Sequence, residues 1–156
     1  MTIASSDSGG GERNGGFTWG TPWIKVNSNY PEINVKKQSE NKDSILNYYR
    51  DLINIRNERV NLLVYGDYCD LMPDDEHIFA YLRSFKDNRI LVILNFSSEE
   101  TILENGLSIL KDLGEVSKIK LLLANYSVKN KNIFTDDLKL NPYEARVYVF
   151  TNYTRR

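Results

Sequence analysis

Hydrophobic positions follow three rhythms along the chain. Between residues 43 and 59, Ile45, Tyr49, Leu52 and Ile53 fall at i, i+4, i+7 and i+8, with Leu46 and Tyr48 beside them. That spacing predicts a helix with one apolar face, which the aliphatic stem of Arg56 extends. Asp43 is the expected N-cap, since its carboxylate can accept from an orphan amide of the first turn. Asn57 and Asn61 bracket the expected end. Beyond residue 61 the rhythm shortens. β-prone runs occupy 62–68, 78–85, 90–96, 100–104, 118–126, 138–140 and 146–151, with turn-rich gaps at 73–75, 86–88 and 129–132. Short strands without regular helices between them argue for an antiparallel sandwich rather than β-α-β units. In the run 78–85, Ile78, Ala80 and Leu82 alternate with Phe79, Tyr81 and Arg83, which puts aromatics on the second face. The run 90–94 is apolar on both faces and is expected at the centre of a sheet. Residues 108–115 are expected to make a short helical or irregular crossing.

The expected core draws on Val64, Ile78, Ala80, Leu82, Leu91, Ile93, Leu121, Leu123, Val147 and Val149. Tyr143, after the turn-setting Pro142, is expected to pack near the start of the last strand and close one end of the sandwich. Neither rhythm holds before residue 43. Residues 17–42 mix Phe17, Trp19, Trp23 and Tyr30 with turn formers and predict irregular structure anchored by its rings. Residues 1–16 hold five of the nine glycines and predict a flexible lead-in. The expected organisation is 1–16 lead-in, 17–61 irregular segment plus helix, 62–151 sandwich and 152–156 tail. The fold class is therefore mainly β: a C-terminal antiparallel β-sandwich preceded by one amphipathic helix and an irregular N-terminal segment.

Composition narrows the function classes. The 156 residues carry 20 Lys and Arg against 21 Asp and Glu. A near-neutral chain has no electrostatic reason to bind nucleic acid or an anionic membrane. The longest strongly apolar stretch is far too short to span a bilayer, and the first residues lack an apolar signal-peptide core. The expected compartment is the cytoplasm. One Cys and one His cannot build a Cys/His zinc site, and neither a metal nor a cofactor is expected.

Candidate chemistry is sparse. His77 follows three acidic residues at the start of a strand, and reads as a solvated turn residue with no triad partner. Glu99-Glu100 and Asp136-Asp137 are adjacent pairs whose side chains diverge on a strand, so they read as surface charges rather than a glycosidase pair. Cys69 is expected to be a buried, inert thiol. Three sequences beginning at Asn95, Asn125 and Asn152 match glycosylation acceptors by chance. Trp19 and Trp23 are the candidate carbohydrate-stacking residues, beside the simpler expectation that they anchor irregular chain. No residue is expected to be catalytic.

Several segments in order carry a resemblance. Gly16-Phe17-Thr18-Trp19-Gly20-Thr21-Pro22-Trp23-Ile24 leads to Val26-Asn27, Asn29-Tyr30 and Ile33-Asn34-Val35. Then come Asp43-Ser44-Ile45-Leu46-Asn47-Tyr48-Tyr49-Arg50, Val64-Tyr65-Gly66-Asp67-Tyr68 and Ile78-Phe79-Ala80-Tyr81-Leu82-Arg83. Leu91-Val92-Ile93-Leu94-Asn95-Phe96-Ser97 and Pro142-Tyr143-Glu144-Ala145-Arg146-Val147-Tyr148 complete the series. From residue 15 to about 150 the chain resembles the C-terminal part of the oligo-1,6-glucosidases and their α-glucosidase relatives in the α-amylase superfamily.

The resemblance implies a (β/α)₈ barrel followed by a C-terminal sandwich. Residues 43–59 would be the last barrel helix, with Leu52 and Ile53 on the face that meets the barrel. It implies retaining hydrolysis of α-glucosidic bonds by an aspartate nucleophile and a glutamate acid/base, with a second aspartate assisting. All three precede the matched portion. The family's His-Asp segment is not matched, since Ile78 follows His77, and residues 1–14 depart from the family's Arg-x-Pro-Met-Gln-Trp segment. No catalytic residue carries over. The expectation is a fragment that is inactive alone and buttresses a barrel, its partner, with α-glucosides as substrates of the parent enzyme. The rival expectations are a carbohydrate-binding module and an interaction domain that docks on a separate catalytic barrel.

Overall fold

The computed structural model describes residues 13–103, 119–128 and 137–151. The expected lead-in through residue 12, the crossing at 108–115, the turn at 129–132, Asp136, Asn152 and the tail lie outside the described residues. The chain divides into two compact units between Ile53 and Asn54.

The described part of the first unit opens with a tight turn, Arg13–Gly16, in which Asn14 and Gly15 take left-handed backbone angles. Segment 17–42, expected to be irregular, contains a short helix, α1 (Val35–Glu40). Its N-cap is Asn34, whose side chain accepts from the Lys37 amide at 3.0 Å. One and a half turns are too short to show a hydrophobic period, so only the cap signals it. The amphipathic helix α2 spans Ile45–Glu58. Its cap is Ser44 rather than Asp43: the Asn47 amide donates to Ser44 Oγ at 3.2 Å, and the Tyr48 amide donates to the Ser44 carbonyl. Asp43 instead donates its amide to Asn41 Oδ1 at 3.0 Å, closing a local turn.

The second unit holds the strands. The expected strand at 62–68 is replaced by a helical turn, α3 (Val60–Leu63), and the chain extends only from Asp67. The Leu62 and Leu63 amides both donate to the Arg59 carbonyl, and Leu62 is buried. Burial of Leu62 overrides the β-prone character of the run. Gly66 follows for a steric reason: a Cβ there would collide with the Leu62 carbonyl oxygen and stand 2.7 Å from the Ser84 carbonyl oxygen.

The strands are β1 (Asp67–Asp70), β2 (Ile78–Phe85), β3 (Asn88–Asn95), β4 (Thr101–Leu103), β5 (Lys120–Ala124), β6 (Leu138–Leu140) and β7 (Ala145–Thr151). Five form an antiparallel sheet in the order β1-β2-β3-β7-β5, and β4 pairs with β6. Strand β3, apolar from Ile90 to Leu94, is central, as its pattern requires. Ile78, Ala80, Leu82, Leu91, Ile93, Tyr148 and Phe150 pack against Leu103, Leu138 and Leu140. This is the sandwich core.

The expected core mixes two faces. Leu91 pairs with Tyr148, and Val92 with Val147. Val147 is therefore on the opposite face, in a second cluster with Leu62, Ile90 and Val92, against which Leu123 and Val149 pack. Leu121 packs on the first cluster because a register shift between Leu121 and Leu123 turns β5 over. Val64 is not in either cluster and is exposed. Tyr143 does not close the sandwich end. It has φ 55° in the turn before β7, and the residue is 61% exposed. Tyr126 reaches that turn instead, donating from its hydroxyl to the Pro142 carbonyl at 3.0 Å.

Candidate functional site

The segment carrying the candidate stacking residues is shaped by polar side chains. Asn14 donates to the carbonyls of Thr18 and Gly20, each at 2.9 Å. Asn34 donates to the carbonyls of Tyr30 and Pro31. Gly15 has φ 64°, and a Cβ there would lie 3.5 Å from the Tyr30 ring, so a residue with little steric cost at positive φ suits the site. The result is an open hollow of about 780 Å³ whose walls include Phe17, Pro22, Trp23, Ile24, Tyr30 and Ile33. Trp23 lines it and is 95% exposed; Trp19 is 81% exposed and is not among its lining residues. The structure thus brings one of the two candidates to the hollow.

A second polar construction joins α1 to the start of α2. Ser44 Oγ donates to the Gln38 carbonyl at 2.6 Å, and the Leu46 amide donates to Gln38 Oε1 at 3.1 Å. Asn47 donates from its side chain to the carbonyls of Gln38, Ser39 and Asn41. This clamp fixes the start of α2 while leaving its apolar stripe open: Ile45, Tyr49 and Ile53 are all exposed, and Leu52 is half-buried.

Acid–base chemistry finds little support. Among the described residues, no group of three or more His, Cys, Asp and Glu could hold a metal ion. His77 is exposed, and its amide donates to Asp75 Oδ1 in the turn before β2. Glu100 is an exposed partner of Lys139 at 3.1 Å. Cys69 is exposed rather than buried, because β1 is an edge strand with a neighbour on one side only. Asn95 and Asn125 are not free acceptors for glycosylation. Asn95 is buried and donates to the carbonyls of Glu99 and Asn141, and the Asn125 amide donates to the Tyr143 carbonyl.

One buried carboxylate does stand out, and the sequence reading passed over it. Glu144 is 1% exposed, and its Oε1 accepts from Arg146 Nε at 2.6 Å. Its Oε2 accepts from the backbone and side-chain nitrogens of Asn141. Arg146 also donates to the Lys139 carbonyl at 2.8 Å. Burial pushes the Glu144 carboxyl upward. The Arg146 hydrogen bond, the two Asn141 bonds and the Arg146 charge outweigh it and hold the group below its ordinary value. Burial raises the Tyr148 phenol on the same face. A carboxylate whose oxygens are already saturated is a structural tie between strands, not a poised acid. The i, i+2 spacing of Glu144, Arg146 and Tyr148 on a strand is the signal that could have revealed it.

Residues 10–66 match the family description "Alpha amylase, catalytic domain". The oligo-1,6-glucosidase of Bacillus cereus is 43% identical over 137 residues, covering 88% of this chain and 23% of that enzyme. The solved trehalose-6-phosphate hydrolase of Bacillus licheniformis superposes with a TM-score of 0.79 at 34% identity, covering 93% of this chain and 25% of the other. An isomaltulose synthase from Erwinia rhapontici gives 0.75 at 37% identity, with coverage of 92% and 24%. The chain spans about a quarter of the length of these relatives. Fold and similarity together relate the chain to the α-amylase superfamily of glycosidases, in which the region of strands β1 to β7 is the C-terminal sandwich. Within that superfamily, the chain is similar to oligo-1,6-glucosidases and an α-glucosidase. No helix among the described residues is long and apolar enough to cross a membrane.

Proposed function

We propose that this chain supplies the C-terminal sandwich and the adjoining edge of the catalytic domain of an oligo-1,6-glucosidase-like α-glucosidase, a cytoplasmic enzyme of carbohydrate metabolism. Its role is to buttress a (β/α)₈ barrel, which is its partner, and it carries none of the hydrolytic carboxylates. The supporting observation is the open stripe on α2. Ile45, Tyr49 and Ile53 are exposed by 73%, 62% and 52%, and they fall inside the stretch that matches the catalytic-domain family. An apolar helix face in such a position is built to be covered.

Hydrolysis needs an oxocarbenium-like state stabilised by converging carboxylates, whereas Glu99 and Glu100 are exposed and the buried Glu144 is tied to Arg146. Purified chain from an α-glucosidase-deficient host is expected to show no turnover of a chromogenic α-glucoside; turnover that persists overturns the reading. The relatives' names include an oligo-1,6-glucosidase, a trehalose-6-phosphate hydrolase and an isomaltulose synthase. The linkage preference of the parent enzyme is accordingly assigned to its barrel and not to this stretch. A second reading, carbohydrate binding, is favoured by the exposure of Trp19 and Trp23 and by the hollow beside Trp23. Retention on an α-glucan resin, lost in Trp23→Ala, would establish it in place of the first.

A further inference from the structure

One side chain holds the turn at Arg13–Gly16 closed. Asn14 Nδ2 donates to the Thr18 and Gly20 carbonyls, each at 2.9 Å, and the Phe17 amide donates to the Asn14 carbonyl at 3.3 Å. Asn14, Gly15 and Gly16 all have positive φ, at 58°, 64° and 78°. Glycine at 15 meets that angle without the steric cost of a Cβ. The same glycine has a chemical consequence. Asparagine is thermolabile, because the backbone nitrogen of the next residue can attack its side-chain carbon, and a neighbour without Cβ leaves that nitrogen unhindered. Asn14 and Asn105 are the two asparagines of the sequence followed by glycine, and Asn14 lies among the described residues. In the closed turn the attack is blocked. A five-membered ring requires the Gly15 nitrogen to eclipse the Asn14 Cβ about the Cα–C bond. With ψ at 27° it nearly eclipses Asn14's own nitrogen instead. The nitrogen that would have to leave is also the one engaged with two carbonyls.

We propose that Asn14 is a gated deamidation site, protected while the turn is closed and committed to an open loop once it has reacted. When the turn opens, the Gly15 nitrogen bonds to Asn14 Cγ and passes its proton to Nδ2. The Cγ–Nδ2 bond breaks, and the nitrogen leaves as ammonia. The cyclic imide then takes up one water. Addition at Cγ gives aspartate. Addition at the backbone carbonyl carbon of residue 14 gives isoaspartate, with the main chain rerouted through Cβ and Cγ. Nothing is oxidised or reduced. Either product carries a carboxylate, which accepts hydrogen bonds and donates none. It would face the Thr18 and Gly20 carbonyls where a donor stood, so the turn cannot close as before. In isoaspartate the carbonyl that accepts from Phe17 leaves the main chain as well. Phe17 and Thr18 line the hollow beside Trp23, so the reaction takes away part of its wall. It also adds one negative charge to a chain of net charge -1.

The test uses the intact chain, incubated at mildly alkaline pH with and without urea, and peptide mapping that follows each asparagine separately. Asn14 is expected to yield aspartate and isoaspartate several-fold more slowly in the folded chain than in urea, where Asn105 is the unprotected reference. In the folded chain it should still convert several-fold faster than Asn29, which precedes Tyr30. Asn14→Asp reproduces the first product. Chymotrypsin should cut it after Phe17 or Trp19 several-fold faster than the unsubstituted chain, with the strand signal in circular dichroism unchanged. The acidic species separated by ion exchange from aged Asn105→Gln chain, whose one remaining Asn-Gly pair is at 14, should behave like Asn14→Asp and serves if that variant does not fold. Equal rates at Asn14 with and without urea overturn the gate. No product at Asn14 in the folded chain, or conversion no faster than at Asn29, overturns the site. Digestion of both Asn14→Asp and the acidic species at the unsubstituted rate overturns the commitment to an open loop.

Discussion

The two units are held by opposite means. In the second, fourteen hydrophobic side chains among the described residues are buried, in clusters on both faces of one sheet. In the first, the only buried side chain among the described residues is Ser44, while Phe17, Trp19, Trp23, Ile24, Ile33, Ile45 and Tyr49 are exposed. There the local order comes from caps and carbonyl-directed amides: Asn14, Asn34, Gln38, Ser44 and Asn47. Hydrogen bonds of this kind contribute about 1 kcal/mol each, enough to choose a conformation but not to replace a core. The contrast teaches that the first unit has the composition of a buried region but leaves its large apolar side chains at the surface.

The largest expected effect falls on the ion pair of the sandwich. Arg146→Ala leaves Glu144 charged, buried and without its cation, a loss of about 3–5 kcal/mol. Arg50→Ala in the first unit removes one exposed bond to Asn47 and should cost no more than about 0.5 kcal/mol. Urea titration followed by circular dichroism measures both. Similar costs would erase the distinction between the units.

A core truncation sharpens it further. Ile93→Ala should cost about 2–5 kcal/mol, because the residue is fully buried and its cavity cannot be refilled. Ile53→Ala, at 52% exposure, should stay within about 0.5 kcal/mol. Attachment to a barrel should reverse that mildness, making Ile53→Ala costly in a chimera that joins this chain to the barrel of the Bacillus cereus oligo-1,6-glucosidase.

These residues also show where sequence was informative. Helix α2 and strand β2 were legible because each carries its own period, as Ile45–Tyr49–Ile53 and Ile78–Ala80–Leu82 show, and β3 because its run 90–94 is apolar throughout. The open stripe followed from the helix period and the resemblance together. Pairing was not legible: Val147 and Val149 are as apolar as Ile93, and only the register with β3 sends them to the other face. The Glu144–Arg146 tie was hidden for a related reason, since charged residues in a strand ordinarily mark the wet side. Of the candidate stacking pair, the sequence offered Trp19 and Trp23 equally; Asn14 and Gly15 shape the loop so that only Trp23 lines the hollow.

The bridge makes the sandwich sensitive to acid. Glu144 has a folded-state pKa below its ordinary 4.5, so its contribution is fully present above that value and is lost as pH falls through the folded pKa. The urea midpoint of the sandwich should therefore decline on acidification below about pH 4.5. In Glu144→Gln the midpoint should be lower at neutral pH and less dependent on pH below it. A variant that keeps the wild-type slope would show that other carboxylates set the acid limb.

The most local effect belongs to Ser44. Its hydroxyl accepts from the Asn47 amide and donates to the Gln38 carbonyl. Ser44→Ala removes both bonds, yet the Gln38 carbonyl keeps the Asn47 side chain at 3.0 Å, so only the cap amide is orphaned. The expected loss is about 1 kcal/mol, confined to the start of α2. Ser44→Asn, which can still accept from the Asn47 amide, should recover most of it. Both tryptophans lie in the first unit, so their fluorescence reports that unit alone, while circular dichroism in the strand region follows the sandwich. Ser44→Ala should move the tryptophan midpoint and leave the strand signal in place. If both transitions shift together by the same amount, the units unfold as one, and the polar clamp contributes to the stability of the sandwich as well as to the local order of α2.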